Sequence, residues 1–597
     1  MQIPDSLKNI TRYIPVVFFI FLTSCHSHRE VTVKELTDHI KYLASDSLKG
    51  RLTGSPGDSL AAEYIRNDLA SNGFQPFSGD GFQRFEVTTR LVAGPENDLS
   101  VNDRQFIPEK DFMPLSFSAS SGLVSGVAFA GYGFNINIDS LIWNDYKGID
   151  VKDMWVLILR ADPESDKQTS PFIPFSGDRD KALTAKDMGA AGVLLVSGPS
   201  SDSRDEFESL NSEDFPVGIP VLRIKREVAD HILAGSGKSV AQLEKKLNDT
   251  RKPFSFPVNK ASVSAKAEII REMSTTRNVV MVLPGEDETL KNEYIIIGAH
   301  FDHLGMGGTG SGSRKADTVA VHHGADDNAS GTGMMLELAE KITLTKGSHP
   351  RSIICIAFTG EEKGLLGSKY FVNNPGIDLT KVNAMINLDM VGRLKETNTM
   401  QIGGVGTAEG FKDFISSLID TSLIKVTFSE EGYGPSDHSS FYGKNIPVLF
   451  YSTGAHLDYH TPSDTYDKIN YKGMVTISSL IFNASRKLAS SPERLKFREA
   501  GPRVEQRGYR RTKGVTLGIM PDVVGTVKNG LLVEAVTPGK PASIGGMKKG
   551  DIITAINGKS VTNIYDYMSR LGQLKHGETI SVEVLRDSNR IVLLIQP

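Results

Sequence analysis

The spacing of apolar residues changes along the chain and indicates which segments are helical and which are extended. Two sets of apolar positions recur at helical spacing near the N-terminus: Val33, Leu36, Ile40 and Leu43, then Leu60, Ala61, Tyr64, Ile65 and Leu69. These positions predict two helices, and the glycine-rich segment 50–57 between them predicts a turn. From about residue 96 to 250 the pattern favours short strands at 155–159, 192–196 and 219–224, with helices at 181–190 and 226–234.

A second pattern covers residues 255–490, where apolar strands alternate with helical segments such as 333–342. The segments 294–299, 352–358 and 384–388 are nearly all apolar, which is typical of strands that are covered on both faces. Alternation of such strands with helices predicts an α/β domain.

The end of the chain differs again. Residues 491–512 are polar and basic, which predicts a linker. The following residues carry Leu517-Gly518-Ile519, the run 537–542 and the segment 550–558, and they end in a predicted hairpin at 579–596. This pattern resembles a PDZ domain. The strand and helix pattern of residues 96–250 resembles a protease-associated (PA) domain.

Composition limits the class of protein. A chain of 597 residues suggests about three or four domains. The net charge is −4, from 67 basic and 71 acidic residues, so the overall charge gives no reason to expect a nucleic-acid partner. Cys355 lies in an apolar run and is expected to be a buried thiol. A disulfide with Cys25 is not expected, because Cys25 has another explanation in the N-terminal motif.

The N-terminus has the features of an export signal. Lys8 and Arg12 precede the short apolar stretch 14–22. The segment Leu22-Thr23-Ser24-Cys25 that follows resembles a bacterial lipobox, which implies a signal peptide at 1–25 and a lipid on Cys25. A signal peptide with an incidental Cys25 is the alternative. The prediction is an exported lipoprotein that is anchored to a membrane, in the periplasm or cell envelope.

Histidine and carboxylate side chains stand where the predicted strands of the α/β domain end. They are His300, Asp302, Asp326, Asp327, Glu361, Glu362, Asp389 and His460. The carboxyl ends of the strands form the binding crevice of open α/β sheets. Zinc accepts both ligand types, and a pair of zinc ions needs a bridging ligand such as a carboxylate. On an extended segment Asp302 can face the same way as His300 and accept its second imidazole N–H.

These motifs resemble the zinc aminopeptidase/glutamate carboxypeptidase family. The matching segments are 299–302, 324–331, 359–362, 387–390 and 459–461. The resemblance implies two Zn²⁺ ions per chain, bound by His300, Asp327, Glu362, Asp389 and His460, with Asp327 as the bridge. It implies that Glu361 is the general base, that Asp302 orients His300, and that Tyr459 stabilises the oxyanion. A base that touched the metal would lose its proton affinity, so the base is expected beside the ligand.

The family also implies a fold and a division of the chain. The expected fold is a mixed central sheet with helices on both faces, accompanied by a β-rich PA domain and a small PDZ domain. The predicted divisions are a signal peptide at 1–25, N-terminal helices of the peptidase domain at 26–95, a PA insert at 96–250, the peptidase domain at 251–490, a linker at 491–512 and a PDZ domain at 513–597.

The preferred function is that of a peptide-cleaving aminopeptidase, and three alternatives stay open. A carboxypeptidase or dipeptidase would use the same metals, with Arg393 as a candidate for the substrate carboxylate. A glutaminyl cyclase would use one zinc ion. A binding scaffold would rely on the PA and PDZ domains, where Leu517, Gly518 and Ile519 are candidates for binding a peptide C-terminus.

Two further motifs are set aside. Asp437-His438-Ser439 is not expected to form a triad, because adjacent residues cannot all converge. The glycine-rich segment 305–310 lacks the following helix that a dinucleotide site needs, so we predict a loop beside the metals.

Overall fold

The computed structural model describes residues 30–500 and 515–597, apart from 139–140, 166, 168–169, 209, 211–214, 346, 348, 522–526, 528, 538 and 576. The predicted signal peptide, Cys25 and residues 501–512 of the predicted linker lie outside the described residues. Among the residues that are described, no helix combines the length and the apolar character needed to cross a membrane.

The helices include those predicted near the N-terminus and at 181–190, 226–234 and 333–342, each of which lies close to its predicted position. They are α1 (Val33–Leu43), α2 (Pro56–Ser71), α3 (Asp178–Asp187), α4 (Arg226–Leu233), α5 (Val240–Thr250), α6 (Gly331–Leu344), α7 (Leu366–Asn373), α8 (Phe411–Ser416), α9 (His438–Tyr442), α10 (Tyr471–Ser490), α11 (Pro541–Ile544) and α12 (Ile564–Gly572). Helix α1 begins where the Thr32 side chain accepts a hydrogen bond from the Glu35 main-chain N–H, a standard N-cap.

The strands fall into three main sheets. They are β1 (Gln75–Pro76), β2 (Phe82–Ala93), β3 (Asp98–Val101), β4 (Arg104–Gln105), β5 (Phe112–Pro114), β6 (Gly122–Ala130), β7 (Asn135–Ile138), β8 (Leu141–Asn144), β9 (Trp155–Leu159), β10 (Gly192–Val196), β11 (Val221–Ile224), β12 (Ser255–Lys266), β13 (Ile269–Leu283), β14 (Tyr294–His300), β15 (Ser352–Phe358), β16 (Val382–Leu388), β17 (Thr399–Gly403), β18 (Lys425–Phe428), β19 (Val448–Ser452), β20 (Ile519–Pro521), β21 (Leu531–Val536), β22 (Ile552–Ile556), β23 (Lys559–Ser560), β24 (Ile580–Arg586) and β25 (Asn589–Ile595).

The largest sheet has the order β1-β13-β15-β14-β16-β19-β17-β18, with β2 paired to β13. Strand β14 runs parallel to β15 and to β16, and β16 runs parallel to β19, whereas β13 and β17 are antiparallel to their neighbours β15 and β19. The parallel strands therefore end at the same edge of the sheet. The sheet is mixed, as predicted.

Both faces of this sheet are covered by helices. On one face, side chains such as Ile295 and Ile297 belong to a core that includes α1, α2, α6 and α10. On the other face, Ile296 and Ile354 pack with residues of α7 and α9. Cys355 is buried and free. The predicted fold class is confirmed.

The second sheet, in the order β4-β3-β12-β6-β9-β10-β11-β5, forms the β-rich domain. Its strand β12 comes from residues 255–266, beyond the predicted limit of 250. Strands β2 and β13, which pair over a long antiparallel ladder, lead into and out of this domain. The insert therefore begins and ends on neighbouring strands of the largest sheet.

The third sheet belongs to the C-terminal domain and has the order β20-β21-β22-β24-β25. Its helix α12 faces helix α3 of the β-rich domain, where Arg179 Nη2 donates to Asp566 Oδ1 at 2.9 Å and Arg570 pairs with Asp187. On the side of the largest sheet, Met520 packs against the core that includes residues of α7 and α9. The C-terminal domain thus contacts both other domains.

Candidate metal and catalytic site

The predicted ligands converge at the common edge of the parallel strands. His300 ends β14, Glu361 and Glu362 follow β15, and Asp389 follows β16 directly. Asp327 lies in the loop that enters α6, and His460 lies in the segment between β19 and α10. Parallel pairing brings the ends of these strands together, so residues far apart in sequence meet there.

His300, Asp327 and Asp389 form the first group of potential metal ligands. Nε2 of His300 lies 3.4 Å from Asp327 Oδ1 and 3.4 Å from Asp389 Oδ1. All three side chains are buried.

A second group lies on the other side of Asp327. Nε2 of His460 is 3.1 Å from Asp327 Oδ2 and 3.1 Å from Glu362 Oε2. His303 joins Asp327 and Glu362 in this group, and its Nδ1 lies 2.7 Å from Glu362 Oε1. Asp327 therefore presents one oxygen to each group.

The donor atoms fit a metal ion. Nε2 of His300, Nε2 of His460 and Oδ1 of Asp389 are buried and form no hydrogen bond with any described residue. Ligand atoms about 2.0–2.1 Å from a tetrahedral zinc ion lie about 3.3 Å from one another, which matches the separations of 3.1–3.4 Å seen here. The chemistry of the donors, nitrogen and carboxylate oxygen, also suits zinc.

Concentrated negative charge shifts the pKa values of the ligands. Burial lowers the pKa of His460, but the carboxylates of Glu362 and Asp327 raise it to about 11. Burial raises the pKa of Asp327, yet the nearby imidazole rings of His300 and His460 outweigh burial and hold this pKa well below its usual range. The negative charge of the carboxylates therefore favours a cation in the space that each ligand group encloses.

Glu361 differs from its neighbour. Burial, and then the negative charges of Glu362 and Asp389, hold the pKa of Glu361 well above its usual range, although His300 opposes this shift. In contrast, charge interactions and hydrogen bonds with histidines lower the pKa of Glu362 to about 2 despite its burial. Of the two adjacent glutamates, Glu361 has the proton affinity that a general base needs.

Asp302 makes different contacts from those predicted. Its Oδ1 lies 3.7 Å from His300 Nδ1, beyond hydrogen-bonding distance, and its main-chain oxygen lies 3.3 Å from that nitrogen. The carboxylate instead accepts hydrogen bonds from the Glu361 main-chain N–H at 3.1 Å and from the Thr53 hydroxyl at 2.8 Å. Strand β14 ends at His300, so the chain no longer alternates between faces at Asp302, and its carboxylate turns toward the loop of Glu361.

Tyr459 lies beside the ligands. Its ring stacks on the His460 ring with centroids 3.9 Å apart. Burial, and then the charges of Asp327 and Glu362, raise the pKa of Tyr459, so its hydroxyl stays protonated at neutral pH and can donate a hydrogen bond.

The two motifs set aside have structural roles. The Ser439 hydroxyl bonds to the main chain of Gly434, and the His438 ring stacks on Phe450. Asp437, buried near the first group, has its pKa raised to about 7 by burial. These partners lie in different directions, so no triad forms.

The glycine-rich segment 305–310 belongs to a loop whose Arg314 N–H donates to the His460 main-chain oxygen at 2.9 Å. This hydrogen bond places the loop beside the potential metal ligands.

Arg51 is a functional residue that the sequence analysis missed. It is fully buried and donates to the main-chain oxygens of Phe301, His323 and Gly324 at 2.6, 2.9 and 3.0 Å, and also to that of Leu43. It therefore ties the loops of both metal groups to the N-terminal helices. Its position in a turn-rich segment gave no sign of burial.

His303 was also missed, although it directly follows Asp302. A histidine three residues after a predicted ligand, in the same short loop, was a usable signal. Gly324, where the other ligand loop begins, has φ of 54°, and a Cβ there would lie 2.6 Å from the His303 ring. A glycine at this position leaves room for that ring.

Buried histidines and carboxylates gathered at the strand ends of an α/β domain form a site suited to metal ions, a feature found in metal-dependent hydrolases. Comparison with known families is more specific. Residues 278–485 match "Peptidase family M28", residues 87–232 match "PA domain" and residues 515–595 match "PDZ domain".

Three individual proteins show what this chain is similar to. A "Probable leucine aminopeptidase" of Trichophyton verrucosum is 24% identical over 325 residues, which cover 49% of this chain and 82% of the relative. The structure of an aminopeptidase from Aneurinibacillus sp. strain AM-1 has 20% identity and a TM-score of 0.45, covering 81% of this chain and 99% of that one. The structure of a zinc aminopeptidase from Bacillus subtilis has 21% identity and a TM-score of 0.44, and the match covers 76% of this chain and 96% of that one.

Residues 278–485 of this chain thus resemble peptidase family M28, and they are combined with segments that resemble a PA domain and a PDZ domain. The predicted family resemblance is confirmed. The predicted enzyme class, an exopeptidase of the aminopeptidase type, is confirmed as well.

Proposed function

We propose that this protein is a two-zinc aminopeptidase that removes residues from the N-termini of peptides outside the cytoplasm. The observation that carries the proposal is the position of the Asp327 carboxylate. Its Oδ1 lies 3.4 Å from His300 Nε2, and its Oδ2 lies 3.1 Å from His460 Nε2. A carboxylate with one oxygen in each ligand group is the bridge that a two-metal site needs.

The remaining ligands divide between the two positions. His300 and Asp389 would hold one zinc ion with Asp327, and Glu362 and His460 would hold the other. When bound, a zinc pair activates water and polarises the scissile carbonyl. The other four proposed ligands are buried or only slightly exposed to solvent. They are His300, Asp389, Glu362 and His460. Their burial protects the reacting groups from bulk solvent.

Glu361 would move the proton in this reaction. It would accept a proton from the attacking water and deliver it to the leaving amine, and its raised pKa suits both steps. The hydrogen bond from the Glu361 main-chain N–H to Asp302 fixes the loop that carries this base. Tyr459, protonated and beside the ligands, would donate a hydrogen bond to the oxyanion.

Two observations favour cleavage at the N-terminus. Several relatives are named probable leucine aminopeptidases. Arg393, the candidate for binding a substrate carboxylate, donates instead to Asp458 and to the Lys468 main-chain oxygen. The carboxypeptidase or dipeptidase alternative therefore depends on another cation, and Arg314, exposed on the loop beside His460, is the one to test.

The deciding experiment combines substrate specificity with metal content. We expect the enzyme to cleave aminoacyl p-nitroanilides and to leave N-acetylated peptides intact, with two zinc ions bound per chain. Cleavage of N-acetylated peptides at their C-terminus, abolished by Arg314→Ala, would instead establish a carboxypeptidase. One zinc ion per chain, with cyclisation of N-terminal glutamine, would favour the glutaminyl cyclase alternative, and a chain without bound metal would favour the scaffold.

We also propose that the mature protein is a lipoprotein of the cell envelope, since Cys25 follows an apolar stretch in a lipobox-like segment. The mass of the mature N-terminus tests this proposal: a diacylglyceryl group on Cys25 is expected, and Cys25→Ser should release the protein from the membrane fraction. A mature chain that begins at another residue would refute it.

The PDZ domain is proposed to bind a peptide C-terminus near Leu517, Gly518 and Ile519. Strand β20 lies at an edge of its sheet, where a peptide could add as a further strand. Fluorescence anisotropy with labelled peptides tests this binding, and the free carboxylate should bind while the matching amide should not. Equal binding of the two peptides would refute recognition of the carboxylate.

A further inference from the structure

His303 lies directly against one of the proposed metal ligands. Its Nδ1 is 2.7 Å from Oε1 of Glu362, whereas the other oxygen, Oε2, lies 3.1 Å from Nε2 of His460. The two oxygens of Glu362 therefore face different partners. Only Oε2 is turned toward the position that Glu362, His460 and Asp327 surround.

The length of the contact distinguishes two roles for His303. Two ligands of one tetrahedral zinc ion would place their donor atoms about 3.3 Å apart, but the observed 2.7 Å is the length of a charge-assisted hydrogen bond. Nδ1 of His303 is also 3.8 Å from Asp327 Oδ2, farther than His460 is. His303 is thus placed to donate to Glu362 and not to share its metal.

The His303 ring is held in this orientation by its surroundings. It is fully buried, its main-chain N–H donates to the Arg51 main-chain oxygen at 3.2 Å, and Gly324 leaves the space that the ring fills. Because the ring is fixed, a hydrogen bond from it can fix the Glu362 carboxylate in turn.

We propose that His303 is a positioning residue for the second zinc ion: it holds Oε1 of Glu362 so that Oε2 alone serves as the metal ligand. The proposal rests on the two-zinc site proposed above. Partners that orient a metal ligand typically contribute about 10–100-fold to metal affinity. The expected consequence is specific to one of the two ions, because the ligands His300 and Asp389 of the other ion do not contact His303.

The test is a zinc titration of the full chain after removal of its metal, with bound zinc measured by mass spectrometry. Wild type is expected to bind two ions. His303→Ala should weaken one of them about 10–100-fold and leave the other unchanged. His303→Asn, whose side-chain N–H can take the place of Nδ1–H, should recover much of the loss. His322→Ala is the matched control, since His322 is equally buried but bonds to Ser313 and the Ala320 main chain, and it should bind zinc as wild type does.

A second set of variants separates positioning from direct ligation. In a Glu362→Ala background, His303→Ala should have no further effect on zinc affinity, because His303 acts through Glu362. A further loss in that background would make His303 a ligand and overturn the proposal. The proposal would also be overturned if His303→Ala bound both ions with wild-type affinity, or if His303→Asn lost as much affinity as His303→Ala. Fewer than two ions in wild type would refute the two-zinc function itself, which is a separate result.

Discussion

Arg570 of the PDZ domain and Asp187 of the PA domain form a bidentate ion pair across the boundary between the two domains. Nη1 and Nη2 of Arg570 lie 2.5 and 2.9 Å from the two carboxylate oxygens of Asp187. Arg570 is almost fully buried, and the Arg179–Asp566 pair lies on the same two helices. The PDZ domain is thereby docked on the PA domain through charged groups that are removed from solvent.

Loss of the Arg570–Asp187 ion pair should allow the PDZ domain to unfold at a lower temperature than the other domains. Arg570→Ala leaves the partly buried Asp187 with only the more distant Lys559, at 3.8 Å, and loss of a buried partner typically costs about 3–5 kcal/mol. Calorimetry should then resolve an earlier unfolding transition. Exchange of the charges, Asp187→Arg with Arg570→Asp, should recover part of the loss. Arg90→Ala, which breaks the exposed pair with Glu272, is the control and should cost less than about 1 kcal/mol. An unchanged thermogram for Arg570→Ala would show that the pair does not hold the domains together.

Glu361→Gln should bind zinc as wild type does but lose turnover. A glutamine has similar size and cannot accept the proton, and general-base catalysis typically contributes about 10²–10⁴-fold. The kcat for an aminoacyl p-nitroanilide and the zinc content of the same sample are the measurements. Glu362→Ala is the contrasting variant, which should bind the second zinc ion more weakly. Substantial activity in Glu361→Gln would contradict the assignment of the base.

Removal of metal by a chelator should destabilise the peptidase domain. Without cations, the buried carboxylates of Asp327, Asp389 and Glu362 repel one another. A ligand present at about 1,000 times its Kd stabilises a protein by about 4 kcal/mol, so we expect a marked fall in Tm. Added zinc should restore both Tm and activity. A chelated protein with unchanged Tm would argue against a metal at these residues.

Arg51→Met should destabilise the protein by more than about 3 kcal/mol, because it leaves buried main-chain oxygens without donors and each such group costs about 1–3 kcal/mol. Burial lowers the pKa of Arg51 to about 10, so the guanidinium is charged at neutral pH and the loss should not depend on pH between 6 and 8. Urea unfolding measures the loss. Arg314→Met, on the exposed loop, should change stability by about 0.5 kcal/mol or less, and equal losses in the two variants would refute the role of Arg51.

Asp458→Asn should remove a pH-dependent contribution to stability. Burial raises the pKa of Asp458, but hydrogen bonds from Lys468 and Arg393 lower it below its ordinary value. Since the folded pKa is depressed, the stabilisation is present above the unfolded value of about 3.9 and is lost as pH falls through the folded pKa. Solvent screening limits it to about 1 kcal/mol.

The measurement is urea unfolding of the metal-free protein at several pH values, because metal release at low pH would otherwise obscure the effect. The difference between wild type and Asp458→Asn should be largest near neutral pH and shrink below about pH 4. A difference that did not vary with pH would mean that the ion pairs of Asp458 contribute nothing.

Local patterns predicted most of the secondary structure near the site. The apolar run 352–358 became β15 with the same limits, and the predicted helix at Val33–Leu43 became α1. Domain boundaries that depend on pairing between distant strands were harder to predict from the sequence. Strand β12 lies beyond the predicted end of the PA insert because it pairs with β3 and β6, and such long-range pairing leaves no local signal in residues 255–266.

The candidate ligands were identifiable because histidines and carboxylates stand at the ends of apolar strands, where a soluble protein has little reason to place them without cations. The contacts of Asp302 were not predictable in the same way. Spacing suggested a bond to His300, but the end of β14 turns the carboxylate toward Glu361. The direction of a side chain in a loop depends on contacts that spacing does not encode.

The sequence by itself determined the α/β pattern, the accessory domains and the residues able to bind metal, because periodicity and residue chemistry are local properties of the chain. Only the tertiary structure decided that Asp327 lies between His300 and His460, that His303 contacts Glu362, and that Arg51 is buried beneath the ligand loops. These relationships join residues that are distant in sequence or hidden in loops. They arise only when parallel strands end at one edge of the sheet and the helices pack against it.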